Sequence, residues 1–118
     1  MSQDFPNFAA FVEAVVLPLR AEHPTRRRLD GWPSGGNWEV AGRFRHADSL
    51  WTVHADTHFE PLLLAYEASQ HGEDPFLVEP TKRGRSLNIQ PALRARMTNP
   101  RLKYIYVYEA ASTRRSAA

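Results

Sequence analysis

The string His54-Ala55-Asp56-Thr57-His58 concentrates the residue types most able to do chemistry. Residues two apart on a strand share a face, so His54, Asp56 and His58 could converge on one metal ion, and zinc accepts imidazole and carboxylate together. Thr57, however, reads as a helix cap, so the strand should have turned by His58, and no second cluster completes a four-ligand set. Polar residues facing solvent account for the string equally well. Asp48, Asp56, Glu60 and His54 fall near a strand end and a helix start, a combination that any small domain offers. Ser34, Ser49 and Ser86 lack a nucleophile-elbow context, and the chain has neither a P-loop nor the Rossmann glycine pattern. The reading therefore expects no catalytic group, no metal and no cofactor.

Cations and aromatics suggest binding instead. Lys82, Arg83 and Arg85, joined by Arg94, Arg96, Arg101 and Lys103, could follow a phosphate backbone. Tyr104, Tyr106 and Tyr108 would offer stacking surfaces if one sheet face is bare. Otherwise they form core beneath the helices and the arginines are ordinary soluble surface. Arg26, Arg27 and Arg28 make a second basic cluster, diluted by Glu22 and Asp30. Trp38 and Trp51 sit on apolar strand faces and read as core, whereas Trp32, between Gly31 and Pro33, is the tryptophan expected to be exposed to a partner.

Charge is distributed unevenly along the 118 residues. Residues 1–79 hold 6 Lys/Arg against 12 Asp/Glu, net −6, and residues 80–118 hold 9 against 1, net +8, which sum to the chain's +2. Such asymmetry can create opposed faces that steer a charged partner, unless folding interleaves the halves. With 42% hydrophobic and 24% charged residues the composition is that of an ordinary globular domain. The absence of cysteine excludes disulfides and thiolate chemistry, and fits a cytoplasmic location. Asp4 stands where a secretory signal would carry basic residues, and no apolar run approaches the roughly 20 residues of a membrane span.

These residues must be positioned by elements that the spacing defines. Phe8, Phe11, Val12, Val15, Val16 and Leu19 form one helical stripe, with Pro18 ending or bending the helix near Leu17. Residues 21–37 are loop, with a short extra strand near Arg28 to Trp32. Trp38 to Arg45 and Leu50 to Asp56 alternate with period two and form an antiparallel hairpin. Thr57 with Glu60 matches a capping box, which starts a second helix from Phe59 to His71 before Gly72. Phe76 to Glu79 and Ser86 to Ile89 form a second hairpin with Gly84 at its basic tip. Pro91 opens a short helix, and Leu102 to Tyr108, apolar on both faces, should lie inside the sheet.

The expected fold is α+β: a mostly antiparallel sheet of four to six strands, with two main helices and one short helix on one face. Residues 1–110 form one domain and 111–118 a flexible basic tail. The expected function is a non-catalytic protein-binding module whose contacts are Trp32, Asp56, Glu60, Glu67, Lys82, Arg83 and Arg85. A small bacterial inhibitor or toxin-immunity protein is one form of it, by analogy of size and architecture. A nucleic-acid-binding accessory domain using the basic hairpin is the alternative, and a metal-dependent enzyme centred on His54 and Asp56 a second. No membrane partner is expected.

Overall fold

The computed structural model describes residues 4–29, 40–82, 84–97 and 107–109. It is α+β, with a six-stranded sheet in the order β1-β2-β3-β6-β5-β4. The strands are β1 (Asp4–Phe5), β2 (Val40–His46), β3 (Ser49–His54), β4 (Phe76–Thr81), β5 (Gly84–Ile89) and β6 (Val107–Glu109). β1 runs parallel to β2, and every other pairing is antiparallel. The strand β1, only two residues long, has no periodicity by which the sequence could announce it.

The first helical stripe is longer than expected. α1 (Phe8–Phe11), a π-helical stretch Val12–Val16 and α2 (Leu17–Glu22) follow without a break. Asn7 caps the start, its Oδ1 accepting from the Ala10 N–H at 2.8 Å. Proline has no N–H to donate, and its ring meets the carbonyl four residues back. The wide π turn immediately before it, in which the Leu17 N–H reaches the Val12 carbonyl, lets the helix pass Pro18 instead of ending there.

α3 (Phe59–Gln70) ends as expected at Gly72, whose φ of 81° suits glycine. Its start differs. His58, not Thr57, is the N-cap and supplies no side-chain cap hydrogen bond, and the Thr57 N–H, which the expected box would give to Glu60, donates to the His54 carbonyl at 3.0 Å. Thr57 is fully buried and its carbonyl accepts from the Leu29 N–H at 3.0 Å, because the chain at 27–29 runs alongside it. Of the extra strand expected from Arg28 to Trp32, Arg28 makes an isolated bridge to His58, and residues 30–32 lie outside the described residues. α4 (Pro91–Arg94) is the short helix after β5.

The core lies between the helices and one face of the sheet. Phe8, Phe11, Val12 and Val16 meet Phe44, Trp51, Val53, Val107, Leu87, Ile89 and Phe76, with Phe59, Leu62 and Ala65 of α3. A fully buried side chain of this kind contributes about 1.5–3 kcal/mol. Phe8 packs edge-on against both Phe44 (5.2 Å) and Phe76 (4.8 Å), and the rings of Phe44 and Phe76 are 6.1 Å apart. β2 and β4 are four strand spacings apart in the sheet, about 19 Å if it were flat. The sheet is therefore curled around Phe8, concave toward the helices. The ring of His46, at the end of β2, closes the same gap against Phe76 at 5.3 Å.

Both hairpin turns use positive φ. Ala47 (51°) and Asp48 (65°) join β2 to β3, and Gly84 (135°) closes the β4–β5 tip. Trp38, Tyr104, Tyr106 and the tail 111–118 lie outside the described residues. Among the described residues no helix is long and apolar enough to cross a membrane.

Gly42 faces the core where α1 comes closest to the sheet. A Cβ there would stand 2.9 Å from Cε1 of Phe11, a ring with no solvent exposure into which to retreat. Gly42→Ala should therefore lower stability by about 1–3 kcal/mol. Equilibrium urea unfolding checks this; an unchanged midpoint would mean that the helix does not approach β2 so closely.

Candidate functional site

Helices cover the concave side of the sheet, and the alternation of the strands sends the other set of side chains to the convex side. There the registers align one row across all six strands: Asp4, Arg43, Thr52, Tyr108, Ser86 and Glu79 are successive Cα partners. Tyr108 stands in the middle of this row and is 42% exposed. The His54 ring meets it edge-on at 5.5 Å, and Val40, the partner of His54, is 39% exposed. Leu77, on β4, is 36% exposed. Three of the four large exposed hydrophobic residues among those described therefore share this face, the fourth being Leu17 of α2.

Polar contacts fix the row at both ends. Nε of Arg43 donates to the Asp4 carboxylate at 2.9 Å, and the Asn88 amide donates to Glu79. Ser86 and Leu50 are buried even though they point outward. The centre is held from beneath. Glu109 points inward, with its side chain only 7% exposed, and accepts from Arg85 Nε at 3.0 Å and from Ser49 Oγ at 2.7 Å. Arg85 also donates to Ser49 at 2.8 Å and lies over the Trp51 ring at 5.6 Å. The hydrogen bond to Glu109 raises the Arg85 pKa above the usual value for a guanidinium. One carboxylate thus joins β3, β6 and β5 directly below Tyr108.

Of the residues expected to contact a partner, Asp56 and Glu60 both lie within electrostatic reach of His58, Glu67 lies further along α3, and Lys82 and Arg85 belong to the second hairpin. Asp56 lies 3.7 Å from Arg28, and Glu67 lies 3.8 Å from Arg96. Glu60 is half-buried in the first turn of α3. Lys82 is exposed at the tip of the second hairpin, whereas Arg85 is drawn toward Glu109. Trp32 and Arg83 lie outside the described residues. Of the four arginine–carboxylate pairs among the described residues, only one joins the two oppositely charged halves of the sequence. Arg96 crosses to Glu67, while Arg28–Asp56, Arg43–Asp4 and Arg85–Glu109 pair within their own halves. Folding distance, not sequence distance, decides which charges meet.

His54, Asp56 and His58 also separate. His54 joins Tyr108 on the convex face, Asp56 meets Arg28, and His58 caps α3 beside Arg27 and Arg28. Among the described residues no three His, Asp or Glu side chains are grouped to hold a metal. Tyr108 was legible only as one of three alternating tyrosines. Leu77 carried no signal of exposure, and period two places Val40 on the side of Gly42 and Phe44, whereas the bulge between Val40 and Gly42 turns it to the opposite face. Comparison with protein-family models, curated proteins and solved structures finds no match.

The pair beneath the row is unequal in exposure, 38% for Arg85 against 7% for Glu109. Removing Arg85 deprives a buried carboxylate of its cation, whereas Glu109→Gln leaves an arginine that can turn to water. Arg85→Met should therefore destabilise the protein more than Glu109→Gln, as read from denaturation midpoints. The reverse order would contradict the geometry.

Proposed function

We propose that the chain is a non-catalytic protein-binding module whose contact surface is the face of the sheet that no described helix covers, centred on Tyr108. The exposed Tyr108, edge-on to His54, on the same face as Val40 and Leu77 and held by strands on both sides, carries this reading. Tyrosine is enriched among residues that dominate binding energy, and a rigid support lowers the entropy cost of using it. An apolar centre with polar ends also matches the anatomy of protein interfaces.

The charge balance of the face favours a protein over a nucleic acid. Among the described residues it carries Arg43 and Arg45 against Asp4 and Glu79, with no excess of cations, and Arg85 is engaged by Glu109 beneath it. A phosphate backbone is bound through an excess of positive charge. An inhibitor or immunity protein is the form of this function that small size and compact α+β architecture support.

A photo-crosslinking amino acid at position 77, introduced in cells of the native host, tests the reading. One protein adduct is expected. Tyr108→Ala should reduce it at least tenfold, in line with the roughly 2 kcal/mol of an interface hot spot, while Leu17→Ala on α2 leaves it unchanged. An adduct that nuclease removes would replace the reading with nucleic-acid binding. An adduct indifferent to Tyr108→Ala would remove Tyr108 from the interface.

A further inference from the structure

A second region, built from different residues, has the chemistry of an anion site. Thr25, Arg26, Arg27, Arg28 and His58 line a cavity of about 430 Å³ at the start of α3. Backbone bonds fix its wall. The Phe59 N–H donates to the Arg27 carbonyl at 2.9 Å, the Leu29 N–H donates to Thr57 at 3.0 Å, and the Arg26 N–H donates to His23 at 3.0 Å. Two side chains tighten the segment further. Arg20 donates to the Arg26 carbonyl at 3.3 Å, and Arg26 to the Leu29 carbonyl at 3.2 Å. Three successive guanidinium groups are thereby carried on backbone that is already ordered.

Among the described residues three guanidinium groups line the cavity, with Asp56 and Glu60 the acids that act on His58. Arg28 meets Asp56 only at 3.7 Å, longer than a hydrogen bond, and the exposed Arg27 has no ion pair among the described residues. His58 records the balance. Burial lowers its pKa first, and Arg28 and Arg27 lower it further against the opposing pull of Asp56 and Glu60. At neutral pH the ring is uncharged and sits among cations. We propose that this cavity binds a phosphomonoester dianion through Arg27 and Arg28. The guanidinium fork matches phosphate oxygens geometrically, and a dianion among the cations favours the charged imidazole. The α3 N-terminus, whose dipole is positive toward the cavity, adds to the same attraction.

The sign of the pH effect follows. Because the free ring holds its proton more weakly than an ordinary histidine and the dianion restores that proton, affinity for the dianion itself rises as pH falls, until the ligand's own second ionisation, at about pH 6 for a phosphomonoester, converts it to the monoanion. Inorganic phosphate and O-phosphoserine, titrated against sodium chloride at matched ionic strength, provide the test, with the His58 ring resonances followed by NMR. Both phosphate probes should saturate and raise the His58 pKa, and chloride should not. Arg27→Gln, an exposed substitution that leaves the backbone bonds in place, should weaken both at least tenfold. Shifts that chloride reproduces, or that Arg27→Gln leaves unaltered, would overturn the site.

Discussion

Everything described here depends on the strand β6. Val107–Glu109 is the only segment in the described sheet that touches both hairpins, pairing with β3 through Trp51, Thr52 and Val53 and with β5 through Ser86. Side chains add to its ladder hydrogen bonds. Val107 does so in the core, where it is fully buried, and Glu109 by accepting from Ser49 on one neighbour and Arg85 on the other. A buried carboxylate with donors on two sides acts as a register pin, since a slip of one residue would turn Glu109 outward and Tyr108 into the core.

The curl of the sheet follows from that joint. Once β6 holds the hairpins edge to edge, Phe44 and Phe76 can meet across the concave side only if the strands wrap, and Phe8 fills the space they enclose. Gly42 matters for the same reason, since it lets Phe11 approach β2. The convex side is what the helices leave uncovered. Tyr108 is exposed there because its neighbours Val107 and Glu109 are both committed inward, so fold and candidate face share one cause.

Much of this was legible in the sequence, and the failures are physical. The helix stripe from Phe8, the two hairpins, the stop at Gly72 and the interior place of the last strand all follow from period, turn chemistry and composition. Pro18 was read as a terminator because a local rule cannot foresee a π turn that accommodates it. Thr57 looked like a cap because the capping pattern is local, whereas its burial against Leu29 is a tertiary event. The candidate face was less legible. Arg85 read as a free surface cation, and only register reveals Glu109 beside it. Alternation marks which residues share a side, but not which side the helices take.

Amide hydrogen exchange of Val107, Tyr108 and Glu109 in the free protein tests the joint most directly. If β6 unites the hairpins, these amides should exchange as slowly as those of Trp51 and Val53 in β3, and open with them in one cooperative unit. Exchange near the rate of an unstructured chain, with β3 still protected, would contradict the account, because the hairpins and the face they present would then be held together by something else.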